Sequence, residues 1–191
     1  MSRPAVFFDR DGTLSREVGY VNHITRFEPF PFAVDAIRAV NGADRLAVVV
    51  TNQAGVARGY FPESLVAVVN GVLRSRAESS GARIDGIYYC PHHPSAGIPP
   101  YREDCDCRKP RPGMLHRAAR DLDIDLSKSW VIGDRLGDLE LAWNAGARAC
   151  LVKTGYGLGE IEYWMAAWKR KPDLIAENAL DAALQIVESH E

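Results

Sequence analysis

Apolar residues recur along this chain in two alternating rhythms. Val6-Phe7-Phe8 is an unbroken apolar run that ends on Asp9, and it predicts a strand over residues 4 to 9. Leu46 to Val50 is a second such run, β-branched and without a polar face, as in a strand covered on both sides. It ends on the polar turn Thr51-Asn52-Gln53-Ala54-Gly55. Gly86 to Tyr89, Trp130 to Ile132 and Ala149 to Val152 predict three further strands, and Leu174 to Ala176 a short sixth. The segments between them carry helical spacing. Ala33, Val34, Ala36, Ile37 and Val40 follow Pro31 and stop at Gly42; Leu65, Val66, Val69, Val72 and Leu73 follow Pro62 and stop at Gly81. Leu115, Ala118, Ala119 and Leu122 mark a third helix. Leu139, Leu141, Ala142 and Ala145 mark a fourth, closed by Gly146. Trp164 to Trp168 is expected in a helix, and Leu180, Ala183, Leu184 and Val187 give the last helical face. Two stretches keep neither rhythm. Residues 11 to 31 carry Gly12, Gly19, Pro29 and Pro31 and predict turns with a small hairpin; residues 91 to 112, rich in Pro, Cys and His, predict a long loop of the kind that is functional or disordered.

Strand and helix alternate throughout, which argues an α/β fold: a Rossmann-like parallel sheet with helices on both faces and right-handed crossovers. The C-terminal ends of the first, second and fourth strands then share one rim, where open α/β sheets build their sites. Asp9, Thr51 and Asp134 stand at those ends.

Composition narrows the options. The 191 residues, 47% hydrophobic and 25% charged, suit one globular domain over 1–191. A net charge of -2 gives no basic field for nucleic acid or an anionic membrane. No apolar run reaches membrane-span length, and Asp9, Arg10 and Asp11 interrupt any N-terminal signal region, so a cytoplasmic location is expected. A monomer is the expected state.

Two constellations carry chemistry. Asp9 and Asp11 repel each other and need a cation, a shared proton or solvent, although Asp11-Gly12 also reads as an ordinary turn. With Asp134 they form an oxygen donor set suited to Mg²⁺. The Thr51 hydroxyl, the amides of the turn after it and the Lys109 ammonium suit a phosphoryl group in transfer. The second constellation is Cys90-Pro91-His92 with Cys105-Asp106-Cys107, three thiols and an imidazole that suit tetrahedral Zn²⁺ in a loop at 90–107. His93 competes with His92 for the fourth place, whereas Cys150 lies in a strand pattern and belongs to the core. Because Lys109 follows Cys107 by two residues, a zinc ion there would hold the backbone that carries the lysine.

Asp9-Arg10-Asp11-Gly12-Thr13, Thr51-Asn52, Lys109, and Gly133-Asp134 with Asp138 resemble, in order, the four motifs of the haloacid dehalogenase superfamily of phosphatases. The resemblance implies that fold with no large cap domain. It implies Asp9 as nucleophile, Asp11 as general acid and base, and Mg²⁺ held by Asp9, the backbone carbonyl of Asp11 and Asp134. Thr51 and Lys109 would stabilise the phosphoryl group. The zinc loop is similar to that of the D-glycero-D-manno-heptose 1,7-bisphosphate 7-phosphatases and histidinol-phosphate phosphatases, and it favours His92 as ligand. The twelve residues between His92 and Cys105 favour the heptose enzymes, since the histidinol enzymes tend to a shorter loop. By the same resemblance Glu17, Val18, Gly19, Tyr20, Asn52, Gln53 and Ala54 line the substrate site. Arg108 helps recognise a second phosphate, and Arg135 adjoins the metal. Asp138 either orients Lys109 or a metal-bound water, or is a solvated carboxylate in the first turn of a helix. The expected activity is hydrolysis of the C7 phosphate through an aspartyl-phosphate; histidinol phosphate or another small sugar phosphate is the alternative substrate. A zinc-organised binding module and a phosphotransferase using the same aspartyl-phosphate are the competing classes.

Overall fold

The computed structural model describes residues 2–189. Six parallel strands form one sheet: β1 (Ala5–Phe8), β2 (Leu46–Asn52), β3 (Gly86–Cys90), β4 (Trp130–Gly133), β5 (Arg148–Val152) and β6 (Leu174–Ala176), in the order β3-β2-β1-β4-β5-β6. The expected α/β architecture is therefore present. β1 lies between β2 and β4, with Val6 in register with Ala47 on one side and Trp130 on the other. The direction of winding reverses between β1 and β4, and such a switch point opens a crevice at the carboxyl ends of the strands. Asp9 and Asp134 leave the sheet on its two sides.

Successive strand residues point to opposite faces. Val6, Phe8, Ala47, Val49 and Ile132 pack into one core with helices α1 (Ala33–Gly42), α2 (Glu63–Ser79) and α6 (Ala179–Glu188). Phe7, Val48, Val50, Val131 and Leu151 pack into the other with α3 (Gly113–Leu122) and α4 (Leu136–Asn144). Both faces are covered, which is why the strands are continuous apolar runs. A single helical turn, α5 (Gly157–Gly159), follows β5. Among the described residues no helix is long and apolar enough to cross a membrane.

Four expectations are corrected. In α6 the buried face is Ala179, Ala182, Ala183 and Ile186, and Leu184 is 42% exposed. This helix packs along α1, whose Ala33 and Ala36 share the same core, and close approach favours alanines over leucines at the contact. In α2 the inward stripe is Val66, Val69, Asn70, Leu73 and Ala77, so Val72 faces outward. Trp164 to Trp168 is not a regular helix: Glu160–Trp164 is a π-type turn and Met165–Ala167 a 3₁₀ turn, with Trp164 exposed. Between β1 and α1 the predicted hairpin reduces to one antiparallel bridge, Ser15 to Pro29, and the 3₁₀ turn Ile24–Arg26. Residues 91 to 112 form the expected loop, crossed by a single bridge between His93 and Arg102.

Candidate active site

The crevice at the β1/β4 switch opens into a cavity of about 550 Å³. Its wall contains Asp9, Asp11, Thr51, Lys109 and Asp134, together with Glu17, Gly19, Tyr20, Asn52, Gln53, Ala54, Arg108, Arg135 and Asp138. Of the residues the sequence assigned to substrate, Val18 is absent from the wall, because its side chain packs on the core beneath the loop. Tyr156 and Glu160 line the cavity without having been foreseen. They come from the turn after β5, a segment with no motif to mark it.

Lys109 is the electrostatic centre. Its Nζ donates to Asp9 Oδ1 at 2.6 Å and to Asp138 Oδ1 at 2.7 Å, all three groups being buried. Burial alone would lower the lysine pKa, but the charges of Asp138 and Asp9 outweigh it and raise it. Burial pushes Asp9 up to about 7; Lys109 opposes this, and Asp138 and Asp11 add to it. Asp134 is raised for the same reasons, burial first and the charges of Asp9 and Asp138 next. This excess of buried negative charge calls for a cation. One carboxylate oxygen from each of Asp9, Asp134 and Asp138 lies within 4.8 Å of the others, a donor set that fits Mg²⁺.

The scaffold holds these groups closely. The Asp9 amide donates to the Ile132 carbonyl at 2.9 Å, tying the end of β1 to β4. Asn52 accepts from the Lys109 amide at 3.1 Å and donates to its carbonyl at 3.4 Å, so it grips the backbone that presents the lysine. Asp138 is only 4% exposed and its Oδ2 accepts from the Arg135 amide at 3.2 Å, which caps α4 and overturns the solvated alternative. Asp134 Oδ2 accepts from the Tyr156 amide at 2.8 Å. Gly12 (φ +96°) and Gly155 (φ +57°) close around that carboxylate: a Cβ on either would lie 2.2 or 2.1 Å from Oδ2.

Asp11 has different surroundings. Arg10 forks onto it, Nε to Oδ1 at 3.0 Å and Nη2 to Oδ2 at 2.8 Å. Gln53 Nε2 donates to Oδ2 at 2.9 Å and to the Thr51 hydroxyl at 2.8 Å. Burial works to raise the Asp11 pKa, but Arg10, Gln53 and Ser15 prevail and hold it below the usual carboxylate value. Arg10 was missed in the sequence. Its partner Asn70, a polar residue within the apolar stripe of α2, was the available signal.

The loop beside the cavity brings Cys90, His92, Cys105 and Cys107 together. Their sulfurs are 3.5 Å (Cys90 to Cys105) and 3.2 Å (Cys105 to Cys107) apart, and His92 Nδ1 is 3.4 Å from Cys107 Sγ and 3.9 Å from Cys90 Sγ. Tetrahedral zinc with ordinary bond lengths needs edges of about 3.5–3.8 Å, whereas a disulfide needs about 2.05 Å. The four residues fit zinc. His92 Nε2 faces Glu103 at 3.5 Å, the carboxylate support common behind metal-bound histidine. Hydrogen bonding from Cys90 pulls the Cys107 thiol down to about 5, towards the thiolate that binds metal. His93 lies outside this group; its Nδ1 accepts from the Ala96 amide and its Nε2 meets Arg58. Cys150 is core. Arg108 donates to the His92 carbonyl at 3.3 Å while lining the cavity, and Arg135 stacks 3.8 Å over Tyr156.

Known proteins resemble this chain in sequence and in fold. Residues 106–182 match the HAD-hydrolase-like family model. The chain is 43% identical over 156 residues to the D-glycero-beta-D-manno-heptose-1,7-bisphosphate 7-phosphatase of Escherichia coli, covering 81% of each chain. It is 40% identical over 183 residues to that of Haemophilus ducreyi, covering 95% of this chain and 97% of the other. The crystal structure of a D,D-heptose 1,7-bisphosphate phosphatase from B. bronchiseptica, complexed with magnesium and phosphate, superposes with a TM-score of 0.85 at 30% identity, covering 97% and 98% of the two chains. The chain belongs to the haloacid dehalogenase-like phosphatases, the family of these heptose bisphosphate enzymes.

Proposed function

We propose that this protein is a Mg²⁺-dependent phosphatase that hydrolyses the C7 phosphate of D-glycero-D-manno-heptose 1,7-bisphosphate through an aspartyl-phosphate on Asp9. The observation that carries the chemistry is the buried Asp9–Lys109–Asp138 ion-pair set beside Asp134 at the strand switch. The names of relatives covering most of the chain support the substrate.

In this reading an Asp9 carboxylate oxygen attacks phosphorus while the P–O bond to the sugar breaks. Asp11 gives a proton to the departing C7 oxygen, then takes one from the water that cleaves the aspartyl-phosphate. Lys109 and the Thr51 hydroxyl stabilise the charge on the transferring group. Asp9, the Asp11 carbonyl and Asp134 would hold Mg²⁺, which supplies positive charge against the phosphoryl oxygens. Glu17, Gly19, Tyr20, Gln53 and Ala54 face the sugar, Arg108 faces its second phosphate, and Arg135 adjoins the metal site. Cys90, His92, Cys105 and Cys107 would hold a structural Zn²⁺ that keeps Lys109 in place. The whole chain acts as one domain and a monomer, in a reducing compartment such as the cytoplasm, where its thiols persist.

The test is phosphate release from a panel of the heptose bisphosphate, other sugar bisphosphates, histidinol phosphate and simple monophosphates. The expected outcome is fastest release from the heptose bisphosphate, leaving the C1 phosphate intact, and none with Asp9→Asn. Faster turnover of histidinol phosphate, or full turnover by Asp9→Asn, would refute the proposal.

A further inference from the structure

The mechanism gives no task to Arg10, which stands between the two aspartates and is 1% exposed. A buried guanidinium is retained only where its donors are used. Here Nη1 donates to Asn70 Oδ1 at 2.9 Å, Nε and Nη2 go to the two oxygens of Asp11, and the guanidinium carbon sits 5.6 Å from the centre of the Phe27 ring. Asn70 belongs to α2 and Phe27 to the loop before α1, so Arg10 is anchored by two separate elements.

The receiving carboxylate is crowded. Asp11 Oδ1 accepts from Arg10 Nε and, at 3.1 Å, from Ser15 Oγ, which it shares with the Arg10 carbonyl. Asp11 Oδ2 accepts from Arg10 Nη2 and Gln53 Nε2. A carboxylate has about four acceptor sites, and four donors occupy them. Arg10 and Ser15 are wholly buried, whereas Gln53 lies on the cavity wall and keeps a second partner in Thr51.

We infer that Arg10 is a positioning residue for the reaction: anchored by Asn70 and Phe27, it aims the Asp11 carboxylate so that the Gln53 position on Oδ2 is the one exchangeable site, and the leaving oxygen of the substrate takes that place. The inference rests on the phosphatase reading of the site. An oxygen that hands over a proton donates rather than accepts, so the Gln53 amide gives way before transfer. With the amide gone, Oδ2 takes up a proton from water in the open cavity and passes it to the leaving oxygen as the P–O bond breaks and the Asp9–phosphorus bond forms; the water that later cleaves the aspartyl-phosphate returns a proton to Oδ2. Arg10 touches neither substrate nor phosphorus and acts only through the direction it imposes on Asp11. A lysine there keeps the charge and loses the fork.

The experiment compares kcat/KM for an alkyl phosphate and for p-nitrophenyl phosphate in the wild type, Arg10→Lys and Asn70→Ala, all loaded with Mg²⁺. kcat/KM reports the step that forms the aspartyl-phosphate, and p-nitrophenolate leaves without needing a proton. Arg10→Lys is expected to lose about tenfold or more in the alkyl substrate beyond its loss in the aryl one, within the usual weight of general acid catalysis. Asn70→Ala should shift the ratio in the same direction by a smaller factor, with inhibition by inorganic phosphate unchanged in both. An equal loss on both substrates, or a change confined to KM, overturns the inference. If Arg10→Lys does not fold, Asn70→Ala decides alone, and an unchanged ratio overturns it. A wild type that releases phosphate from no substrate would instead refute the phosphatase reading itself.

Discussion

Gly155→Ala tests how the metal-facing carboxylate is held. Gly155 has φ +57°, and its missing Cβ would lie 2.1 Å from Asp134 Oδ2 and 2.7 Å from Gly12 Cα. Ordinary contact begins near 3.4 Å, so the carboxylate must retreat by more than an ångström, because the Gly12 backbone blocks escape on the other side. The left-handed backbone costs an alanine about 1–2 kcal/mol. Loss of the Tyr156 amide bond to the charged Oδ2 adds about 1.5–3 kcal/mol. At roughly 2–4 °C per kcal/mol for a chain of this length, the melting temperature should fall by about 10 °C. A misplacement of this size at a reacting centre costs on the order of 10²-fold in rate, and the Mg²⁺ concentration for half-maximal activity should rise. Gly146→Ala is the control: φ is +77° with nothing within 4 Å of its missing Cβ, so it carries the backbone cost without the clash. Melting curves and initial rates across a Mg²⁺ titration separate the two. If Gly155→Ala matches Gly146→Ala in Mg²⁺ dependence, Asp134 is not the carboxylate that holds the metal.

Three further outcomes follow from the same geometry. Lys109→Met leaves Asp9 and Asp138 without their shared cation and should lower kcat by about 10²–10³ at saturating Mg²⁺; a loss below about tenfold would rule out a role in phosphoryl stabilisation. Asp9 is raised by burial from 3.8 to about 7, so the metal-free native state binds a proton that the unfolded chain releases. Its contribution to stability therefore falls as pH rises through that window, and Mg²⁺ affinity should weaken by up to about tenfold per pH unit below about 7. Calorimetric titration that finds a flat affinity from about pH 5.5 to 7 would contradict this. Cys107→Ser should empty the four-residue thiol site of zinc and lower activity through Lys109, two residues on; metal analysis showing full zinc content, or full activity after zinc is stripped and Mg²⁺ restored, would count against the arrangement.

Strand positions and the rim residues were legible because the sheet is covered on both faces: a buried parallel strand must be apolar throughout, and the first polar residue after it marks its exit. Asp9 and Asp134 were found that way. The cysteine cluster was legible for a different reason, since free thiols grouped within one loop have few uses besides metal. The face of α6 was not legible, because alanine is nearly neutral in any hydrophobic count and only the approach of α1 decides that alanines rather than leucines line the contact. Val72 was misread because two valines of α2 fit the helical period almost equally well until the sheet selects one stripe.

By itself, then, the sequence determined the alternation of strand and helix, the acids at the strand ends and the loop that gathers Cys90, His92, Cys105 and Cys107. These follow from local chemistry and from chain order. Only the tertiary structure decided what each acid feels. Asp9 and Asp11 are two residues apart, yet burial raises one while a guanidinium fork lowers the other. Asn52, on the cavity wall as expected, also grips the backbone of Lys109, and Tyr156 and Gly155 reach Asp134 from the turn after the neighbouring strand β5. Such effects depend on distance and desolvation: Arg10 is the sequence neighbour of Asp11, but only its burial against Asn70 and Phe27 turns the guanidinium onto the carboxylate, and the other contacts join residues far apart in the chain.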